Sequence, residues 1–119
     1  MIRFINSFCT IAVIFFAPGT FACDYPQRVL IPNGSSATKD EMVTGQKDVK
    51  KFMADMEEYL ACIDDKDEQD RTGIEEPDLI VAAQRDEMLV KKHNAAIDDM
   101  ETIAAQFNEE VRVYKSRKD

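Results

Sequence analysis

Residues 38–63 read TKDEMVTGQKDVKKFMADMEEYLACI, and the spacing of their apolar side chains fixes the architecture expected of the whole chain. Thr38-Lys39-Asp40-Glu41 is a capping box. The Thr hydroxyl and the Glu carboxylate satisfy backbone N–H groups that a first helical turn leaves without partners. Met42, Val49, Met56 and Ile63 then recur seven apart, with Phe52 and Tyr59 at the intervening offset and Gln46, Met53 and Leu60 alongside. Residues three, four and seven apart share a helix face, so one stripe of this helix needs a partner. The pattern fades after Ile63 and ends in polar sequence near Asp70, which gives helix one about 32 residues.

The partner lies downstream. Arg71 to Glu76 contains Gly73 and forms a connection, and Pro77 then sits where a helix tolerates proline best, in its first turn. From Pro77 towards Lys118 no Gly or Pro interrupts a helix of about 41 residues, roughly 60 Å long. Leu79, Asp86, His93, Met100, Phe107 and Tyr114 share one heptad position, and Ala82, Leu89, Ala96 and Ile103 share the next. Ala83, Val90, Ile97, Ala104 and Val111 flank them. Two such helices with a short link predict an all-α, antiparallel two-helix hairpin, coiled-coil-like in its seam. The unequal lengths leave helix two overhanging by two to three turns. Phe107, Val111 and Tyr114 lie near that end, and unless the N-terminal segment covers them they form an apolar patch and are the candidate partner-binding residues.

The start of the chain sets the compartment. Met1-Ile2-Arg3 is a short positive start, Phe8 to Ala17 is an apolar run, and Thr20-Phe21-Ala22 ends on a small residue directly before Cys23. This is the pattern of a signal peptide over residues 1–22, with Cys23 as the first mature residue. The apolar run is about half the ~20 residues of a spanning helix, so no transmembrane segment is expected. Cys23 is also where bacterial lipoproteins are acylated, and a lipid anchor there is the alternative. Thr20 and Phe21 stand where those signals carry a Leu-like and a small residue, and acylation would strand Cys62 as an unpaired thiol. Ordinary cleavage is therefore expected. It leaves Cys23 and Cys62 in an oxidising compartment, which reads as one disulfide.

That bond constrains residues 23–37. Pro26, Pro32 and Gly34 surround the triplet Val29-Leu30-Ile31, so this segment is extended, with a turn at Pro32-Asn33-Gly34. Asn33-Gly34-Ser35 also matches a glycosylation sequon, but Asn-Gly is a common turn pair. Thr38 to Cys62 is about 36 Å of helix, and residues 23–38 reach at most about 50 Å. The disulfide closes only if the segment runs back along helix one and lays Val29, Leu30 and Ile31 into a groove of the hairpin.

The chain resembles a group of small exported proteobacterial proteins with paired cysteines. The likeness is carried by Cys23-Asp24-Tyr25-Pro26, Ile31-Pro32-Asn33-Gly34, Glu41-Met42 and Tyr59-Leu60-Ala61-Cys62, and by Asn94-Ala95-Ala96 leading to Ala105-Gln106-Phe107-Asn108. It implies a periplasmic protein and pairing of the two cysteines, and it carries over no catalytic residue.

Charge and composition narrow the function. The whole chain carries −8, and removing a leader with one Arg and no acid leaves 14 − 23 = −9 for residues 23–119. Nucleic acid is not an expected partner, because phosphate binding needs clustered positive charge. Asp64 to Asp78 holds eight acidic and two basic residues, while Arg112, Lys115, Arg117 and Lys118 cluster at the other end. Asp65, Asp67, Gln69 and Glu76 fall at positions 1, 3, 5 and 12 of a calcium-loop frame. The frame fails at Asp70, where Gly should stand, at neutral Gln69 and at Thr72. His93 is the single histidine, too little for structural zinc, and reads as a packed, hydrogen-bonded side chain. No nucleophile, base and orienter assemble, and no phosphate loop or haem motif occurs, so neither an enzyme nor a cofactor is expected. The expectation is an exported module that binds another envelope protein or itself. The alternative is a cation (calcium)-responsive protein using the acidic inter-helix loop.

Overall fold

Two capped helices account for 72 of the 95 described residues. The computed structural model describes residues 22–76 and 78–117. It contains α1 (Lys39–Thr72) and α2 (Leu79–Ser116), with no strand among the described residues. Residues 1–21 of the expected leader (1–22) and Pro77 lie outside the described residues. At the start of α1 the capping box closes as its sequence requires: the Glu41 amide donates to Thr38 Oγ1 at 3.2 Å and the Thr38 amide to Glu41 Oε2 at 2.6 Å. α1 runs two residues past Asp70, to Thr72. α2 starts at Leu79 rather than at Pro77, because the Asp78 carboxylate accepts from the Ile80 amide at 2.8 Å and so holds the N-cap position.

The helices form the expected antiparallel hairpin. Gly45 lies against Phe107, Asp64 reaches His93 and Arg71 reaches Asp86, so positions on α2 descend as those on α1 rise. Of the stripe read from the heptads of α1, Met42, Val49, Met56 and Ile63 are buried with Phe52 and Tyr59, whereas Met53 and Leu60 are half-buried and Gln46 is exposed. On α2 the buried residues are Ala96 at the midpoint and Ile103 and Phe107 beyond it, none of them in the first turns next to the connection. Ala96 is completely buried, since a small side chain lets the two backbones approach.

A two-helix hairpin has two grooves, and residues 23–37 fill one of them. Cys23 is bonded to Cys62, Tyr25 meets Tyr59 edge to face with ring centroids 4.9 Å apart, and Pro32 packs on Gly45. The segment thus runs antiparallel to α1. Val29 and Ile31 pack against the core as expected, whereas Leu30 is 92% exposed. Successive side chains of an extended chain point to opposite sides, so the triplet cannot bury all three.

Gly45 shows how close this packing is. A Cβ there would sit 2.6 Å from the Pro32 ring, so a residue with poor helix propensity occupies the heptad position shared with Phe52 and Tyr59. Gly34 is tighter still, because a Cβ would lie 2.0 Å from the Glu110 carbonyl oxygen. No glycine among the described residues has a positive φ, so close approach, not turn geometry, requires glycine at both positions.

The overhang of α2 is smaller than expected. With 34 and 38 residues the helices differ by about one turn, and the turn at 33–36 covers that end. The Gly34 amide donates to Glu110 Oε2 at 2.6 Å, and Arg117 Nη1 donates to the Ala37 carbonyl at 2.8 Å.

Closing a loop of 39 residues stabilises the fold by about 4 kcal/mol in the chain-entropy treatment. Cys62→Ser is expected to cost about 2 to 4 kcal/mol in chemical denaturation and to release residues 23–37 while leaving the helical circular dichroism largely intact. An unchanged unfolding midpoint would contradict the role given to the bond.

Candidate functional site

Apolar exposure is concentrated at the turn between the helices. Leu79 is 81% exposed, Ile80 71% and Val81 50%, and Ile74 stands beside them at 40%. Five consecutive apolar residues, Leu79 to Ala83, turn through more than a full circle of helix, so they cannot all face α1. Leu79 shares the heptad position of the inner stripe, yet it is among the most exposed apolar residues of α2. The unbroken run was the available sign that this end has more apolar surface than one partner covers. Arg71, Ile74, Asp78, Val81, Ala82 and Arg85 enclose a cleft of about 430 Å³ here, walled mainly by carbon.

Charge surrounds this apolar tip. Arg71 Nε pairs with Asp67 Oδ2 at 2.5 Å and its Nη2 with Asp86 on α2, which ties the last turn of α1 to the first turns of α2. Eight acidic and two basic residues between Asp64 and Asp78 leave the tip at −6. Their arrangement is not that of a calcium loop. Asp65, Asp67 and Gln69 belong to the continuous helix α1, where each two-residue step rotates about 200°, and only Glu76 lies in the connection. Asp67 is already held by Arg71. Among the described residues no group of three or more His, Cys, Asp and Glu side chains is placed to hold a metal ion. His93 is half-buried, and its Nε2 lies 2.7 Å from Asp64 Oδ1, a polar rung between the helices.

The opposite end has a different character. Phe107, expected on the overhang, is in the core at 8% exposure, and Val111 and Tyr114 are half-buried against it. They are not a bare patch, because the turn at Gly34 and the first turn of α1 cover them. They do form one wall of a cleft of about 250 Å³, whose other wall is Met42, Val43 and Gln46 and whose rim carries Lys39 and Lys115. The Arg117 guanidinium stacks 4.7 Å over the Tyr114 ring.

Between the two ends, a polar clasp holds the extended segment to α2. The Tyr25 hydroxyl donates to Asp99 Oδ2 at 2.9 Å, and Arg28 Nη2 donates to Asp99 Oδ1 at 2.6 Å. This triad leaves no mark in the sequence, because nothing local pairs residues more than 70 positions apart. The two donors hold the Asp99 carboxyl below its usual range, the Tyr25 hydrogen bond first and Arg28 second. Burial, followed by the bond to Asp99, pushes the Tyr25 phenol up to about 12.

No helix among the described residues is long and apolar enough to cross a membrane. No protein-family model, curated protein or solved structure matches the chain.

The clasp gives the protein an acid and an alkaline limit. A depressed carboxyl pKa contributes stability above the ordinary carboxylate range and loses it as pH falls through the lowered folded value. A raised phenol pKa contributes stability below the ordinary phenol range and loses it as pH rises through about 12. Asp99→Asn should flatten the acid limb of a plot of unfolding midpoint against pH, and Tyr25→Phe should flatten the alkaline limb. Acid and alkaline limbs identical to wild type in both variants would show that the clasp does not contribute.

Proposed function

We propose that this chain is an exported, disulfide-bonded protein-binding module of the bacterial periplasm that works through surfaces rather than chemistry. The single observation that carries the reading is the cluster Ile74, Leu79, Ile80 and Val81, large apolar side chains exposed together on an acidic tip. Exposed apolar residues scattered singly are ordinary, but four large ones within eight residues at one end of the molecule, amid charged side chains, mark a contact. The chemistry of the tip describes its partner: an apolar seat with basic residues around it, since like charge against −6 would be repulsive. The Cys23–Cys62 bond fits an oxidising compartment outside the cytoplasm. The leader-like residues 1–22 and the resemblance to small proteobacterial exported proteins support the periplasm.

Two measurements test this. Leu79→Asp with Ile80→Asp places acid in a first helical turn, where the backbone dipole favours it, so native helicity is expected to remain. Partner capture from the native envelope should be lost, and unchanged capture would remove the tip from consideration. Separately, the intact mass of the exported protein should correspond to unmodified residues 23–119 less two hydrogens. Added acyl mass on Cys23, or two free thiols, would refute soluble export with a closed disulfide.

A further inference from the structure

The extended segment covers only one side of the hairpin. It contacts α2 through Tyr25 and Arg28 at Asp99 and through Gly34 at Glu110, and it reaches α1 at Gly45, Tyr59 and Cys62. On a helix with 100° per residue, Gly45, Tyr59, Cys62 and Asp99 lie to one side of the buried seam, while Glu110, seven residues past Ile103, closes the end of the seam itself. Met53 and Leu60 of α1 lie on the other side with Val90, Ile97 and Met100 of α2. Val90 is 57% exposed and Ile97 41%, while Met53, Leu60 and Met100 are half-buried and lean on the core. This is an open groove with the same heptad spacing as the closed one.

We propose that its occupant is a second copy of this chain, docked antiparallel so that each apolar, acidic tip seats in the other copy's basic-rimmed end cleft. The inference rests on the tip being a docking surface and names what it docks on. Three features carry it. A two-fold contact must be self-complementary, and antiparallel alignment brings Leu60 and Ile97 near the midpoint of both hairpins onto their own counterparts. The same alignment sets the tip, with Leu79 and Ile80 beside Glu75, Glu76 and Asp78, at the level of the cleft formed by Val43, Phe107, Val111 and Tyr114 under Lys39 and Lys115. Finally, the open face is two helices wide, and the stretch from Gln46 to Asp67 spans roughly 30 Å. Mutual burial is then on the order of 600 Å² per copy, the lower range for a stable interface. Phe107, Val111 and Tyr114 thereby keep a binding role, as the wall of a receiving cleft rather than as a bare overhang.

Sedimentation velocity on the purified disulfide-bonded protein tests the proposal. Wild type should form a dimer whose dissociation constant rises at least about tenfold between about 50 mM and about 0.5 M salt. Val90→Asp with Ile97→Asp changes only exposed positions and should give a monomer with native circular dichroism. Lys39→Glu with Lys115→Glu should weaken the dimer about tenfold, and adding Glu75→Lys with Glu76→Lys should restore it. A wild type that stays monomeric at about 200 μM, far above the micromolar range of a specific dimer, overturns the proposal. So does a dimer indifferent to Val90 and Ile97, or a charge reversal that its counterpart does not rescue. If wild type is monomeric yet Leu79→Asp with Ile80→Asp abolishes capture of a different protein, self-pairing fails while the tip keeps its binding role.

Discussion

Two helices alone cannot bury enough of themselves, and the structure is organised around that shortage. Each helix of a hairpin hides one stripe, and a chain of this size has little core to offset the entropy of ordering it. Residues 23–37 supply the missing layer without forming any regular element. They pin Val29 and Ile31 against the hairpin, hold the Tyr25–Asp99–Arg28 clasp and end in the turn that packs on α2 at Glu110. The Cys23–Cys62 bond makes this docking intramolecular at its far end, and the glycines at 34 and 45 allow contact at its near end. The hydrogen bond at Glu110, the clasp at Asp99 and the disulfide at Cys62 thus spread the restraint along the whole segment.

The same arrangement creates an asymmetry with functional consequences. One groove is filled and the other is open, and one end is covered while the tip is bare. The core follows this division, since Met56, Ala96 and Ile103 are completely buried and Leu79, Ile80 and Val81 are not. Beyond Ile63, α1 offers only charged and polar side chains to α2, so the apolar residues at the start of α2 find no intramolecular cover. Exposed apolar surface that the fold does not consume is available for association.

Much of the fold was legible in the sequence because periodicity and caps are local signals. The heptads of α1, the Thr38 capping box, the turn at Asn33-Gly34 and the reach of the 23–62 bond each rest on a few neighbouring residues and simple lengths. The contacts that decide the candidate site are not local. Gly34 against Glu110, Asp99 against Tyr25 and Arg28, and Arg117 against Ala37 join positions more than 70 apart. The first and last of these cover the end of α2, which the mismatch in helix lengths had left bare. The bare tip was readable in principle from the run Leu79 to Ala83, but a heptad assignment absorbs Leu79 into the inner face and hides it. Frames of carboxylates carry little by themselves: positions 65, 67, 69 and 76 have a loop motif's spacing, but the frame already fails at Asp70 and Thr72, and residues 65 to 72 are helical with Asp67 paired to Arg71.

Residues 23–37 are a packed layer of the fold and not a tethered tail. Amide hydrogen exchange of the oxidised protein, resolved by residue, measures this directly. The Gly34 and Ala37 amides, hydrogen-bonded to Glu110 and to the Asn33 carbonyl, should exchange far more slowly than in an unstructured peptide and lose that protection on reduction of the disulfide. Exchange of Gly34 and Ala37 at unstructured-peptide rates in the oxidised protein, with α1 and α2 fully protected, would contradict it.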